Sequence, residues 1–450
     1  MTYDVIIVGG GPAGVSSAYT LAKLGKKVLL LDKKSHDRIG DKSCGDALDR
    51  TSPEILFEKF GLPLPHGDEI SDEVKYMTIA TPGGSVKMSA PGYTVDRHIY
   101  GQRLLKECED VGVDVIASAP VRDVIIEDNY VKGVVYMNRG EKKEVRSKAV
   151  IDCSGTFAAV RKKLPEGFSY GLNREVPDFH IAASYREIVE LKEKDHPYSK
   201  EIVLLYKESI PPPGYLWFFT KGKRRLNLGT GWLKSENHLY EKSMKEIYRE
   251  ALSEHYTPDE YEIIKSGGGQ IPIRPPFDSL TFNGGMLVGD AGCMVDPTTA
   301  EGHGPALVSG YFAGSVLAKA LDKGDVSREG LWEYNSKVME LYGVRNAMSY
   351  VALRYLRKLS PDGLQFIIKR GIISEDELKG IYTGEENPIS FMSMVWKVVK
   401  AFPKFGLLLT LKRMVDDVKA IGAYYETYPS DPTKLSKWIE GRNSTLNEDL

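Results

Sequence analysis

Residues 3–34, YDVIIVGGGPAGVSSAYTLAKLGKKVLLLDKK, constrain the fold more than any other stretch of this chain. The runs VIIV and VLLL are continuous branched apolar residues rather than alternating ones, the pattern of parallel strands covered on both faces. Between them lie a glycine turn and an amphipathic helical segment, so the whole reads as a βαβ unit. Gly9, Gly11 and Gly14 form G-x-G-x-x-G at the turn, with Pro12 and Ala13 opening the helix, and Asp32 stands 18 residues after Gly14 at the end of the second strand. Such a turn lets a pyrophosphate approach the backbone at a helix N-terminus, and the acid accepts from the adenosine ribose hydroxyls. The glycine motif alone is a weak signal; strand, helix and acid together predict a dinucleotide site.

A second element of the same kind appears some 280 residues later, in LVGDAGCMVDPTTAEGHGPAL. A buried strand ending in Asp290 aims a carboxylate at ribityl hydroxyls, and a helix from about Gly302 to Leu321 sets its positive end where a reduced flavin gathers charge. Two such elements suit FAD rather than NAD. The stretch between them alternates apolar and polar residues in short segments such as EIVLLYKES and RRLNLGTGWL, which predict an antiparallel sheet. The expected class is therefore α/β (α+β). A Rossmann-like FAD domain with a parallel sheet (1–70, 96–165 and 266–326) is interrupted by an antiparallel-sheet substrate domain (71–95 and 166–265). A helical region (327–450) follows, ending in a polar dozen residues expected to be a mobile tail.

Composition excludes several classes. A net charge of −2 leaves no field to concentrate a nucleic acid. The four cysteines, Cys44, Cys108, Cys153 and Cys293, form no C-x-x-C pair, so no metal site is expected and a reducing compartment suits them. The N-terminus lacks a signal-peptide pattern and no run of about 18 uncharged apolar residues occurs, so a cytoplasmic protein is the simplest expectation.

GYLWFFTKGKRRLNLGTG carries the substrate signal. Tyr215, Trp217 and Phe219 alternate and so share one strand face, and Gly229 and Gly231 thin the backbone facing them. This describes a slot for a flat or chain-like apolar ligand, or equally an ordinary core strand.

Over most of the first 325 residues the chain resembles the FAD enzymes of the para-hydroxybenzoate hydroxylase-like superfamily. The matches are GGGPAG, Asp32, IDCSGTFAAVR ending in Arg161, GDA at 289–291, and Arg97, which opens a helix as the arginine beside the cofactor does in that superfamily. Within it, the aromatic string resembles the signature of the geranylgeranyl reductase family, with Thr220 where that family usually has proline. KSCGDAL, containing Cys44 and Gly45, and SGGGQIPIRPP match it too, while His303 in AEGHGPAL replaces an apolar residue.

The resemblance implies cofactor contacts from Gly9, Gly11, Pro12, Ala13, Gly14, Asp32, Cys44, Gly45, Arg97, Val121, Asp290, Gly302 and His303. It implies substrate contacts from Tyr215, Trp217, Phe219, Gly229 and Gly231; because the alkene needs a nearby acid, Cys44 or an ordered water near it is expected to deliver a proton, unless Cys44 is a gate or packing residue. The implied activity is saturation of isolated C=C bonds in geranylgeranyl chains of ether phospholipids or of geranylgeranyl diphosphate. With one full dinucleotide fingerprint, the electrons come from a ferredoxin or from NAD(P)H docked transiently. A flavin monooxygenase or halogenase of the same fold is the alternative, and an FAD-stabilised prenyl-lipid carrier a third reading. Finally, Pro388 to Val415 holds no acid, and Lys397, Lys400, Lys404, Lys412 and Arg413 punctuate an apolar run broken by Pro403. That reads as two amphipathic helices, either lying on an anionic membrane or capping the substrate domain.

Overall fold

The computed structural model describes residues 3–235, 241–359, 361–370 and 405–447. In the first sheet β1 (Tyr3–Val8) lies between β2 (Val28–Leu31) and the long β9 (Glu141–Asp152), parallel to both. Val5, Ile6 and Ile7 and the whole of β2 are buried, as the unbroken apolar runs require. β6 (Asp114–Ile116) extends the sheet on one side; β16 (Gly285–Leu287) and β15 (Thr281–Phe282) extend it on the other. β7 (Val121–Glu127) and β8 (Tyr130–Asn138) hang from β9 as an antiparallel flap.

The second sheet has eight strands, in the order β14 (Tyr261–Pro272), β10 (Ile181–Leu191), β13 (Arg225–Leu233), β12 (Tyr215–Thr220), β11 (Glu201–Leu205), β4 (Ile70–Thr81), β5 (Gly84–Val95), β3 (Ala47–Asp49). It departs from the expected organisation in three ways. β11 and β4 pair in parallel, because more than a hundred residues separate them and the chain returns to the same end before re-entering the sheet. β3, inside the span assigned to the first domain, pairs with β5. β14 stays in register with β10 through Gly267, Gly268 and Gly269 as far as Pro272, beyond the expected boundary at 265.

Two helices bring the halves of the site together. α1 (Pro12–Lys23) presents the small residues Ala13, Ser16 and Ser17 to α5 (His303–Lys323). Ser16 Oγ donates to the Leu307 carbonyl (2.6 Å) and Ser17 Oγ to that of Gly310 (3.1 Å), a close crossing that sets the two helix N-termini side by side. The remaining described helices are α2 (Thr51–Phe60), α3 (Arg97–Asp110), α4 (Met244–Ser253), α6 (Glu333–Val338), α7 (Val344–Lys358), α8 (Pro361–Lys369), α9 (Phe405–Tyr425) and α10 (Leu435–Leu446).

α10 corrects the expectation of a mobile tail. Its polar composition hides one apolar stripe: Leu435, Trp438 and Leu446 are buried, and Arg442 pairs with the buried Asp278. The basic stretch from Pro388 lies outside the described residues as far as residue 404. Among the described residues no helix is long and apolar enough to cross a membrane.

Candidate functional site

A cavity of about 1030 Å³ runs between the sheets, lined at one end by Gly9, Gly11 and Asp32 and at the other by Trp217, Trp232 and Leu353. That is at the top of the range for a site holding one small ligand, roughly 300–1,000 Å³, and so leaves room for a cofactor and a second molecule. At the glycine end Gly11 is the N-cap of α1 and no side chain caps the helix, so its first N–H groups face the cavity unpaired. A β-carbon on Gly11 would meet nothing within 4 Å, whereas Gly14 faces away, where its bare Cα lets α1 cross the Gly9 carbonyl. Pro12 and Ala13 also line the cavity. Asp32 is fixed by N–H groups of Gly10 (2.7 Å) and Lys34 (2.8 Å), which hold its carboxylate at the rim, and Val121 lies nearby on the wall. An unobstructed helix terminus and a held carboxylate fit a dinucleotide pyrophosphate and ribose.

Asp290 does not end a strand as expected. It sits in a short helical turn, Gly289–Gly292, after β16, and its Oδ2 accepts from Lys42 Nζ (2.8 Å) at the cavity wall. Arg161 turns away from the cavity altogether: it is buried, donates to the carbonyls of Asn173 (2.9 Å) and Arg174 (2.8 Å), and stacks on Phe277. Its segment is tied by Asp152, which accepts from the Val160 and Arg161 N–H groups, so this motif braces the fold.

Arg97 is buried at the start of α3 with no carboxylate partner among the described residues; its Nη1 approaches Cys44 Sγ at 3.5 Å. The Cys44 thiol donates to Asp46 Oδ1 (3.2 Å) and receives the Asp46 N–H (3.2 Å). Burial pushes this thiol up from the ordinary range against the pull of Arg97, so it is held as the neutral S–H. A set of residues that sequence reading missed holds the loop. Lys221 Nζ reaches Asp46 Oδ2 at 3.0 Å, and Asn227 Nδ2 donates to Asp46 Oδ2 (2.9 Å) and to the Cys44 carbonyl (2.8 Å). Asn227 Oδ1 in turn accepts from the Trp217 indole N–H (3.0 Å), so the cysteine loop and the aromatic strand form one unit.

Tyr215, Trp217 and Phe219 do share one face and all three line the cavity. The glycines sit differently from the expectation. Gly231 and Gly229 are the lateral partners of Tyr215 and Trp217 on the neighbouring strand, not an opposing wall, and Trp217 lies over Gly229. Phe219 rests on Gly45, where a β-carbon would stand 2.6 Å from its ring. Met77, Ile202 and Leu204 complete an apolar chamber, while Trp232 points to the other face of the sheet and packs with Leu216 and Phe218. Thr220, in place of the usual proline, is fully buried; its hydroxyl bonds to Asp72 and its carbonyl accepts from Thr94 Oγ1 (2.6 Å).

The two ends meet at α5. Gly302 is its N-cap, with no side chain of its own to cap it, His303 is its first residue, and the Gly304 N–H in the first turn is taken by Glu301 Oε1 (2.9 Å). His303 is buried, its Nδ1 finds no partner among the described residues, and burial beside Arg97 and Lys42 pushes its pKa far down, so the ring is neutral. Glu301, inside the AEGHG string but not singled out by sequence reading, also lines the cavity, and burial together with the Asp49 charge raises its carboxyl to about 8. Among the described residues no cluster of His, Cys, Asp and Glu is arranged to hold a metal.

Comparison with known proteins agrees with this geometry. Residues 4–160 match the family of FAD dependent oxidoreductases, and residues 179–271 match the geranylgeranyl reductase catalytic domain. A protein named digeranylgeranylglycerophospholipid reductase from Sulfolobus acidocaldarius is 33% identical over 100% of this chain and 98% of its own length. A geranylgeranyl bacteriochlorophyll reductase-like protein from Thermoplasma acidophilum superposes with a TM-score of 0.75 at 24% identity, covering 92% of this chain and 99% of the other. The flavin-dependent brominase Bmp2 superposes with a TM-score of 0.64 at 18% identity, over 89% of this chain and 98% of its own, a likeness of fold alone.

Proposed function

This chain belongs to the digeranylgeranylglycerophospholipid reductase family, and on that premise we propose that this cavity holds both FAD, at its glycine end, and a lipid chain, at its aromatic end. The protein is an FAD-dependent oxidoreductase that saturates C=C bonds of geranylgeranylated lipids. The observation that carries the reading is continuity: Asp290 and Gly302 of the cofactor wall and Tyr215 and Trp217 of the aromatic wall bound one space.

In this reading the N–H groups at Gly11 to Ala13 bind the pyrophosphate, Asp32 the adenosine ribose and Asp290 the ribityl chain, with Val121 on the adenosine side. Arg97, the Cys44–Gly45 loop and the N-terminus of α5 at Gly302 and His303 surround the ring system. FAD in its reduced form supplies the hydride. Every other requirement falls on the chain itself. The alkene has no conjugated carbonyl to take up charge, so the residues must hold it in place, exclude water and deliver a proton to the second carbon. The chamber of Tyr215, Trp217, Phe219 and Leu204 does the holding. Burial of a geranylgeranyl chain at about 0.8 kcal/mol per CH₂ supplies up to about 15 kcal/mol before association and ordering costs. Chain length should therefore matter more than the headgroup.

Electrons reach the site from an external donor, a ferredoxin or NAD(P)H, since the chain carries one dinucleotide fingerprint. The basic apolar segment beginning at Pro388 is read as a contact with an anionic membrane, through which a lipid chain would enter. Sedimentation with anionic vesicles at low salt tests this; absence of binding overturns it.

The activity is tested by mass spectrometry of a geranylgeranylated lipid after anaerobic incubation with chemically reduced enzyme. Gains in steps of two hydrogens are expected. A product formed only in air would overturn the reading in favour of an oxygen-dependent enzyme of the same fold.

A further inference from the structure

We infer that Glu301 is the proton donor to the alkene, giving its carboxyl proton to the carbon that does not receive the hydride. The inference rests on the reductase reading above and adds the group which that reading leaves unassigned.

The placement of Glu301 is over-determined. Its N–H donates to Thr299 Oγ1 (3.2 Å), its carbonyl accepts from the Asp296 N–H (2.9 Å), and the preceding Ala300 is held at φ +57, in the left-handed region unusual for a side-chain-bearing residue. The same turn is joined to the aromatic wall, because the Tyr215 hydroxyl donates to the Thr299 carbonyl (2.9 Å). On its other side Gly302 leads into α5 and faces Asp290. Glu301 thus stands where the cofactor wall meets the chain wall. Its Oε1 accepts from the Gly304 N–H (2.9 Å), which leaves the other oxygen to carry a proton.

The groups facing it keep that proton on at neutral pH. Burial and the carboxylates of Asp49 on β3 and Asp296 raise the carboxyl to about 8, against Arg345 of α7 and the Gly304 N–H, while the buried Tyr342 hydroxyl beside it stays protonated. Other groups at this junction serve less well. Burial makes Cys44 a weaker acid than an ordinary thiol and keeps His303 unprotonated, and the Tyr215 hydroxyl is pushed up as well.

The step balances as a two-electron reduction. The hydride of the established chemistry forms one C–H bond, the alkene π pair takes the Glu301 proton to form the other as the O–H bond breaks, and water reprotonates the carboxylate. The cofactor is oxidised by the two electrons that the alkene gains.

The test compares wild-type holoenzyme with Glu301→Gln, whose amide oxygen can still accept from Gly304, and with Glu301→Asp. FAD content should be unchanged, and Glu301→Gln should lose roughly 10²–10⁴-fold in reduction rate. Proton donation requires the neutral acid, so the wild-type rate should fall as pH rises through about 8, a limb that Glu301→Asp shifts and Glu301→Gln removes. Infrared spectra of the oxidised holoenzyme should show a carboxylic C=O band that disappears over the same pH range and is missing in Glu301→Gln. A Glu301→Gln enzyme within about threefold of wild type with the same pH limb, or a wild-type spectrum without that band, overturns the inference. A wild-type enzyme that leaves the lipid unreduced overturns the reductase reading instead, whatever the spectrum shows.

Discussion

The indole of Trp217 lies across Gly229 of the adjacent strand, so closely that a β-carbon at position 229 would overlap its ring. The contact explains why an aromatic and a glycine occur twelve residues apart on paired strands: the ring folds over the neighbouring backbone instead of filling the chamber. Gly229→Ala should push Trp217 into the cavity and strain its bond to Asn227, at a cost of about 1–3 kcal/mol typical of overpacking. Substrate-dependent turnover should fall at least tenfold with FAD content retained, as read by flavin absorbance and lipid mass spectrometry. Unchanged turnover would separate this strand from substrate binding.

Asp46 and Lys221 form an ion pair at 3.0 Å whose side chains are 2% and 3% exposed. Removing one partner strands the other charge in the interior, so Lys221→Met should destabilise by about 3–5 kcal/mol in denaturant unfolding. Asn tolerates the left-handed backbone of residue 46, and the double variant Asp46→Asn/Lys221→Met should recover much of that loss.

Cys44 touches Asp46 and Arg97 and keeps its proton because burial disfavours the thiolate. With a carboxyl available for proton delivery, Cys44→Ala and Cys44→Ser should retain FAD and turn over within about fivefold of wild type. A loss of a hundredfold or more with FAD bound would put the thiol in the chemistry.

The Arg442–Asp278 pair and the edge-to-face contacts of Trp438 with Tyr425 and Tyr428 fasten α10 to the body of the protein. A chain ending after Tyr428 should melt several degrees lower and be cleaved faster by protease. Were the segment a mobile tail, its removal would change neither.

His180 is buried against the Tyr350 hydroxyl (2.9 Å), and burial pushes its pKa down to about 3. Above the unfolded value of about 6.5 both states are neutral and the group contributes no pH dependence. As pH falls from there towards 3, the unfolded chain takes up a proton that the folded one refuses, and stability declines by on the order of 4 kcal/mol. His180→Asn should flatten that acid slope in unfolding experiments, leaving stability above pH 7 to report the lost packing alone.

Much of the glycine end of the cavity was legible beforehand. Gly9, Gly11, Asp32 and Asp290 all reach the cavity, and the alternation of Tyr215, Trp217 and Phe219 correctly gave their common face. Arg161 ends the flavoprotein-like string IDCSGTFAAVR, yet its guanidinium caps two carbonyls away from the site. The C-terminal residues looked unstructured because helical propensity there is modest and the partners of Trp438 and Arg442 lie far back in the chain.

The sequence by itself determined what depends on near neighbours: strand and helix periodicity, the glycine turn, and the single face of an alternating strand, all set by backbone geometry within a few residues. Only the tertiary structure decided which distant groups share an environment. Asn227 bonds to the Cys44 carbonyl across 183 positions, and Asp49 on the distant strand β3 raises the carboxyl of Glu301 in the turn before α5. Burial and Coulomb interaction act through space, so the protonation of Glu301 and the clamping of the cysteine loop exist only once the two sheets have closed around their cavity.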